Sequence, residues 1–310
     1  MFYYKTNKRY NQFSEHLKNR FGEKVYKVTL DAGFTCPNRD GMLSNSGCIF
    51  CDNSGSFSQL YSNNLSVKEQ LDIGISKIKD RFKAKKFLSY FQAYSNTYRP
   101  VDELKKIYDM ALNNETIGMS IGTRPDCVDE EKLDLIASYT DNYYTWIEYG
   151  MQSIHDKSLK YINRGHDFNC FEKACRETTI RNINVCAHVI LGLPTESKED
   201  MLETARVIAG MGIQGVKIHQ LCVLKNTKLA EMYQANQFKL MEEDEYIELV
   251  CDFLEILPQS ITIQRIAGNG LKSIMIAPGW LSKKWDILNK IDKELERRDS
   301  YQGSREHASF

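Results

Sequence analysis

The stretch Asp31-Ala-Gly-Phe-Thr-Cys36-Pro-Asn-Arg-Asp-Gly-Met-Leu-Ser-Asn-Ser-Gly-Cys48-Ile-Phe-Cys51 decides how the rest of the chain is read. It places three cysteines on one glycine-rich loop, directly after the strand-like run Lys24–Leu30. Thiolates are soft donors suited to zinc or to iron–sulfur clusters. A structural zinc or an ordinary cluster is closed by four protein ligands, so three ligands leave one metal corner open to a small molecule. Cys48 and Cys51 form a C-x2-C clamp, and Gly33, Gly41 and Gly47 let Cys36 fold back toward it. Asp52 or a distant histidine could instead complete a zinc site. No second C-x2-C or C-x2-H pair accompanies it, which weakens that reading.

Outward from the loop, strand-like and helix-like stretches alternate. Strands are expected at Lys24–Leu30, Lys86–Tyr94, Ile117–Gly122, Tyr144–Met151, Asn184–Gly192, Gly215–Leu221 and Ile261–Ala267. Amphipathic helices are expected between them at Val67–Arg81, Val101–Asn113, Asp129–Thr140, Ile154–Ile162, Phe168–Arg181 and Ser197–Gly210, and after them at 242–256 and 283–298. Leu71, Ile75, Ile78 and Phe82 have helical spacing. The nearly continuous apolar run Val185–Leu191 suits a parallel strand covered on both faces. Six strand–helix units predict an α/β fold, a partial (β/α)6 TIM-like barrel over 24–225. A basic segment, 1–23, precedes it, and a small α/β extension, 226–310, is expected to close the barrel mouth. Chemistry in such barrels sits at the carboxyl ends of the strands, where the cysteine loop falls. The polar tail from Arg297 to His307 is expected to be loosely held.

The chain has 310 residues, of which 42% are hydrophobic, ample for a core. No run of about 18 apolar residues occurs, so no membrane span is expected. No apolar core follows the charges of Met1–Arg9, so no signal peptide is expected either. Nine cysteines, an odd number without framework spacing, point to a reducing cytoplasm. The 41 basic and 41 acidic residues cancel, which argues against a strong non-specific nucleic-acid binder. The charge is uneven, however. Residues 1–27 carry seven Lys/Arg against two Glu, and residues 77–86 carry six against one Asp. Such stretches are solvated faces or phosphate-binding patches.

The cysteine loop with its Ile49-Phe50-Cys51 ending, together with the strand–helix order, resembles the radical SAM enzymes. The usual spacing in that superfamily is C-x3-C-x2-C, whereas this chain has C-x11-C-x2-C. The longer gap resembles the branch that includes the elongator catalytic subunit and the bacterial YhcC/YtqA-type proteins. Five further segments carry the same resemblance: Tyr90-Phe-Gln-Ala-Tyr-Ser-Asn-Thr-Tyr98, Ile121-Gly-Thr-Arg-Pro-Asp126, Trp146-Ile-Glu-Tyr-Gly-Met-Gln-Ser153, Asn163-Arg-Gly-His166 and His188-Val-Ile-Leu-Gly-Leu-Pro194. The elongator subunit's acetyltransferase domain is expected to have no counterpart here.

The resemblance implies that Cys36, Cys48 and Cys51 hold three irons of a [4Fe-4S] cluster and that S-adenosylmethionine (SAM) chelates the fourth. An electron from a flavodoxin- or ferredoxin-class donor would then yield a 5′-deoxyadenosyl radical. Ser95, Asn96 and Thr97 stand where many members carry a Gly-Gly-Glu stretch that holds the SAM amino group; a plain polar strand end is the alternative. Strand alternation puts Glu148, Gly150 and Gln152 on one face, and an inward Glu148 needs a partner. The resemblance implies the SAM ribose for Glu148 and Gln152, and the SAM carboxylate for Arg164. Arg164 could equally be a cation at a helix carboxyl end. Gly192 admits a flat ring and offers backbone groups to adenine edges, and Phe50 would pack beside adenine or simply cover the cluster. Arg124, His219 and Gln220 are candidates for the substrate mouth, although an ion pair of Arg124 with Asp126 or Glu148 is an equal reading. His188, alone in an apolar strand, reads as a core histidine. No catalytic side chain is singled out.

For substrate, the resemblance implies transfer RNA and the wobble-uridine side chain, with carboxymethylaminomethyl-uridine converted to aminomethyl-uridine. The same chemistry on a small metabolite, and a non-catalytic zinc or redox-responsive binding protein, are the competing readings.

Overall fold

Helix signals in the sequence translate directly into caps. Ser66 accepts from the Glu69 N–H while the Glu69 carboxylate accepts from the Ser66 N–H, and Ser197 with Asp200 repeats the arrangement. The computed structural model describes residues 8–52, 65–268 and 273–305, so the basic segment is seen from residue 8 and the tail to residue 305. Residues 1–7 and 306–310 lie outside the described residues.

Helix α1 (Phe13–Phe21) precedes strand β1 (Val25–Leu30). Then come α2 (Val67–Phe82), β2 (Lys86–Phe91), α3 (Val101–Met110), β3 (Thr116–Thr123), α4 (Glu130–Ala137) and β4 (Trp146–Gln152). Helices α5 (Asp156–Tyr161) and α6 (Phe168–Thr179) lead to β5 (Asn184–Leu191), and α7 (Lys198–Gly210) leads to β6 (Gly215–Gln220). The chain continues through β7 (Val223–Leu224), α8 (Lys228–Gln234), α9 (Glu243–Ile256), β8 (Thr262–Arg265), β9 (Met275–Ala277) and α10 (Lys284–Arg297). The second strand stops at Phe91 rather than Tyr94, because Tyr94 sits at φ 60° and turns the chain away.

Strands β1 to β6 and β8 form one parallel sheet in chain order. Lys27 Nζ on β1 donates to Gln264 Oε1 on β8 at 3.2 Å, so the two edge strands approach and the sheet is curled. The expected α/β partial barrel is present, with one addition to its strand count. The seventh parallel strand, β8, comes from the C-terminal part of the chain and pairs with β6. Residues of β5 from Val185 to Val189, His188 excepted, are fully buried, as a strand covered on both faces requires. Helix α9 is buried between α7 and α10, and Phe253, Leu254 and Leu257 extend the core there.

The amino-terminal segment is structural. The Ile263 N–H donates to the Asn11 carbonyl at 2.7 Å, so residues 11–12 cover the free edge of β8. Helix α1 then sets Phe13 and Leu17 against Val25, Leu88 and Trp146, plugging the amino ends of the strands. Its neighbours absorb its charge: Lys8 pairs with Asp292 and Arg9 with Asp299. Lys86 donates to the Phe21 carbonyl, and Lys79 pairs with Glu115. Both basic stretches therefore gather at the amino end of the barrel, away from the cysteine loop. The tail is held more firmly than its polarity suggests. Gln302 is fully buried and donates to the Pro258 and Ile261 carbonyls while accepting from the Asn11 N–H. Among the described residues no helix is long and apolar enough to cross a membrane.

Candidate active site

At the carboxyl ends of the strands lies a cavity of about 300 Å³. Cys36, Cys48 and Cys51 line one part of it. Their loop is built from short backbone bonds. The Arg39 N–H donates to the Cys36 carbonyl at 2.8 Å, the Gly47 N–H to the Asn38 carbonyl at 2.7 Å, and the Cys51 N–H to the Cys48 carbonyl at 3.0 Å. Gly47 lies at φ +71°, where a side chain would also strike Arg39. The Asn163-Arg164-Gly165-His166 segment braces the loop from behind. Asn163 Nδ2 donates to the Gly47 carbonyl at 2.7 Å, and Asn38 Nδ2 donates to the Asn163 carbonyl at 2.6 Å.

Three guanidinium groups surround the thiols. Arg164 Nη1 lies 3.4 Å from Cys48 Sγ, with its Nε donating to the Gly150 carbonyl at 3.0 Å. A Cβ on Gly150 would overlap that guanidinium and displace it from its present position. Arg39 donates to the Asp52 carbonyl at 2.6 Å; burial opposes its charge, but the neighbouring Cys51 more than offsets this and raises its pKa. Burial likewise opposes Arg124, whose pKa is raised by Asp126 and then by Cys36 and Cys48. Clustered cations of this kind favour an anionic group bound among them. Among the described residues, the one trio of metal-donor atoms all within 4.8 Å of one another is His155, Asp200 and Glu203. Cys36, Cys48 and Cys51 do not form such a trio, so at least one pair of their sulfurs lies more than 4.8 Å apart. Three soft thiol donors beside three guanidinium groups fit an iron–sulfur cluster with one open iron.

Deeper in the barrel, each strand contributes a polar side chain. Glu148 on β4 is fully buried and takes four donors: Lys27 Nζ at 3.3 Å, Ser120 Oγ at 2.5 Å, His188 Nε2 at 2.9 Å, and Lys217 Nζ. Burial would raise the Glu148 pKa, but Lys217, Lys27 and His188 hold it well below the usual carboxylate range. Burial lowers the pKa of both lysines, with Glu148 opposing. Lys217 Nζ also donates to Tyr90 Oη at 2.9 Å, and burial raises that phenol's pKa.

Burial pushes the His188 pKa down to about 4, against the hydrogen bond to Glu148. The imidazole is therefore neutral near pH 7. A histidine whose folded pKa lies below its unfolded value stabilises least where it must charge. Its contribution is complete above pH ~6.5 and is lost as pH falls toward the folded value, a total on the order of 3 kcal/mol. His219 shares the direction. Urea unfolding at a series of pH values checks this: His188→Gln should flatten the loss of stability between pH ~6.5 and ~4. A slope identical to that of the wild type would contradict the assignment.

The sequence-derived candidates divide into those that reach the cavity and those that do not. Phe50, Ser95, Arg124, Glu148, Gln152, Arg164, His219 and Gln220 join the three cysteines in lining it. Gln152 holds φ 75°, a strained backbone for a non-glycine residue at a strand end. Asn96 and Thr97 lie behind the wall. Asn96 Nδ2 donates to the Gly122 carbonyl at 2.7 Å, and the Thr97 and Thr123 hydroxyls share a hydrogen bond of 2.7 Å. Gly192, at φ 89°, is not itself on the cavity lining, although its neighbour Leu221 is. Arg124 makes a two-pronged pair with Asp126 at 2.8 and 2.7 Å and donates to the Arg164 carbonyl. The Glu148 carboxylate is engaged by the protein's own donors. The sequence reading passed over Arg39, Tyr90, Lys27, Lys217 and Arg265. The signal was there: Lys27, Glu148 and Lys217 each stand alone as a charge amid an apolar strand.

The comparisons with known proteins bear on the family and the fold. The radical SAM superfamily model matches residues 43–208, and the Radical_SAM C-terminal domain model matches residues 213–297. The first match begins after Cys36, inside the long gap of the cysteine motif. YtqA of Bacillus subtilis is 40% identical over 302 residues, covering 97% of this chain and 94% of its own. The tRNA uridine(34) acetyltransferase of Methanocaldococcus infernus is 28% identical over 203 residues, 64% of this chain and 37% of that protein. The solved structure of the archaeal Methanocaldococcus infernus Elp3 with an N-terminal deletion superposes with a TM-score of 0.70 at 19% identity. It covers 90% of this chain, which spans 64% of that one, and it shares the fold.

Proposed function

The chain belongs to the radical SAM superfamily, and from that premise we propose that it holds a [4Fe-4S] cluster on Cys36, Cys48 and Cys51 and uses SAM to modify the wobble-uridine side chain of a tRNA. The observation that carries the proposal is the convergence of three thiols and three guanidinium groups on one cavity at the carboxyl ends of a parallel barrel. When bound, a cluster with SAM supplies hydrogen-atom abstraction from an unactivated carbon.

The protein's own side chains do the rest. Arg164 and Asn38 donate toward Cys48 and stabilise its charge. Gln152, Ser95 and Phe50 line the same cavity, which supports a cofactor-binding role for them. The buried network around Glu148 fixes the floor. Arg265 and Gly268 bring the C-terminal part to the cavity, which supports a role for residues 226–310 in closing the mouth and excluding water. Nine free thiols suit action in a reducing cytoplasm with a flavodoxin- or ferredoxin-class reductant. The Methanocaldococcus infernus relative is a tRNA uridine(34) acetyltransferase, which supports the choice of substrate.

Two measurements test the proposal. Anaerobically reconstituted protein with dithionite should convert SAM to 5′-deoxyadenosine. In a strain lacking the gene, tRNA should retain carboxymethylaminomethyl-uridine where the parent carries aminomethyl-uridine. SAM cleavage with an unchanged nucleoside profile would instead favour a small metabolite.

A further inference from the structure

One cation of the cavity has no counter-charge. Arg265, at the end of β8, lines the cavity and makes no ion pair among the described residues. Tyr90, Glu148, His188, His219 and Gln220 line the same cavity, and Glu148 is the one carboxylate among the lining residues. Residues 53–64 and 269–272, outside the described set, contain no Asp or Glu that could supply one. The single carboxylate of the floor, Glu148, is already shared by Lys27 and Lys217. Beside Arg265, the shielded Nε2 of His219 also has no hydrogen-bond partner, and the His219 ring lies 5.3 Å from that of His188.

The register of the sheet explains how the guanidinium gets there. Lys217 pairs with Arg265, and the ladder between β6 and β8 shifts at Val216 and Lys217. The shift lets Gln264 reach Lys27 in the barrel interior while the next residue, Arg265, also lines the cavity. An uncompensated cation in a partly buried cavity is costly unless an anion completes it. A guanidinium suits a planar, two-oxygen partner.

We propose that Arg265, together with His219 Nε2, forms a subsite for the carboxylate of the molecule acted upon. The inference rests on the tRNA reading for the identity of that molecule: the wobble side chain named above ends in a carboxylate on a secondary amine. The carboxylate of SAM is the other source of the same chemistry. Arg265 stands at the end of β8 beside Lys217 of β6, whereas the guanidinium that reaches a cluster cysteine is that of Arg164, 3.4 Å from Cys48 Sγ.

The test uses anaerobically reconstituted wild type, Arg265→Gln and Arg265→Lys. The first probes are N-benzylglycine and benzylamine, a benzylic amine with and without a carboxymethyl group, followed through the NMR signal of the His219 ring. N-benzylglycine should move that signal saturably and benzylamine should not. Arg265→Gln should weaken the response about tenfold or more, the scale of one charge-assisted pair, and Arg265→Lys should keep part of it. The second probes are anticodon stem–loops bearing carboxymethylaminomethyl-uridine or aminomethyl-uridine. Wild type should prefer the first about tenfold, and Arg265→Gln should bind both alike. An unmoved His219 signal, or unchanged N-benzylglycine binding by Arg265→Gln, overturns the subsite. Weakened SAM binding by Arg265→Gln, with probe binding unchanged, assigns the guanidinium to the cofactor and also overturns it. Equal binding of the two RNAs by wild type, with the N-benzylglycine response intact, overturns the tRNA reading and leaves the subsite standing.

Discussion

Cys48→Ala, purified and reconstituted without oxygen, should carry almost no iron, against about four atoms per wild-type chain. SAM cleavage should fall with it to background. Cys48 is the buried member of the trio, 6% exposed, and two cationic or amide donors, Arg164 and Asn38, address its sulfur. Removing that sulfur leaves two protein ligands for a cluster that already lacks a fourth. The loop itself should survive, because its turns are closed by backbone bonds and by Asn163 rather than by the thiol. Cys175→Ala is the matched control. It removes an equally buried thiol on α6 that packs in the main core, so iron and SAM cleavage should remain. Iron retained in Cys48→Ala at the level of Cys175→Ala would remove the cysteine loop from the account.

Glu148→Gln should be the most destabilising conservative change in the barrel. Glutamine keeps the shape but leaves Lys27 and Lys217 buried with no carboxylate, since Glu148 is the one ion-pair partner of each among the described residues. Breaking a buried ionic cluster by removing one member typically costs about 3–5 kcal/mol, a large part of a domain's net stability. The sign with pH is distinctive. Burial already lowers the pKa of both lysines, and without Glu148 that pull is unopposed. The unfolded chain then binds more protons than the folded one, so the variant should regain stability as pH rises toward the lysines' unfolded pKa. Adding Lys217→Met should recover part of the loss. Chemical unfolding reads all three. A loss below about 1 kcal/mol with no alkaline recovery would mean the network does not carry the floor of the cavity.

Much of this architecture was legible from side-chain periodicity. The strand–helix alternation gave the parallel barrel, because apolar runs such as Val185–Leu191 leave a doubly covered strand as the simplest arrangement. The cysteine loop drew attention for a different reason: three thiols on one short loop are a rare pattern, and the structure brings all three to one cavity. Long-range contacts were harder to read. Nothing local in Asn11 or Gln302 announces that they bond to each other, and the tail read as loose for that reason. Helix α1 was missed although Phe13, Leu17 and Phe21 stand four apart, because the surrounding charges suggested a surface segment. Asn96 and Thr97 drew attention by their position at a strand end, yet their side chains hold β2 to β3. Arg265 was hidden because a register shift, invisible in one sequence, decides that it faces the cavity.

The central claim is an open iron, held by three cysteines and able to bind SAM. Electron paramagnetic resonance of the reduced, reconstituted protein, with and without SAM, tests it most directly. The account predicts a [4Fe-4S] signal that changes shape when SAM is added, together with 5′-deoxyadenosine in the same sample. A closed tetrahedral zinc, or a cluster whose signal SAM leaves untouched, would contradict it.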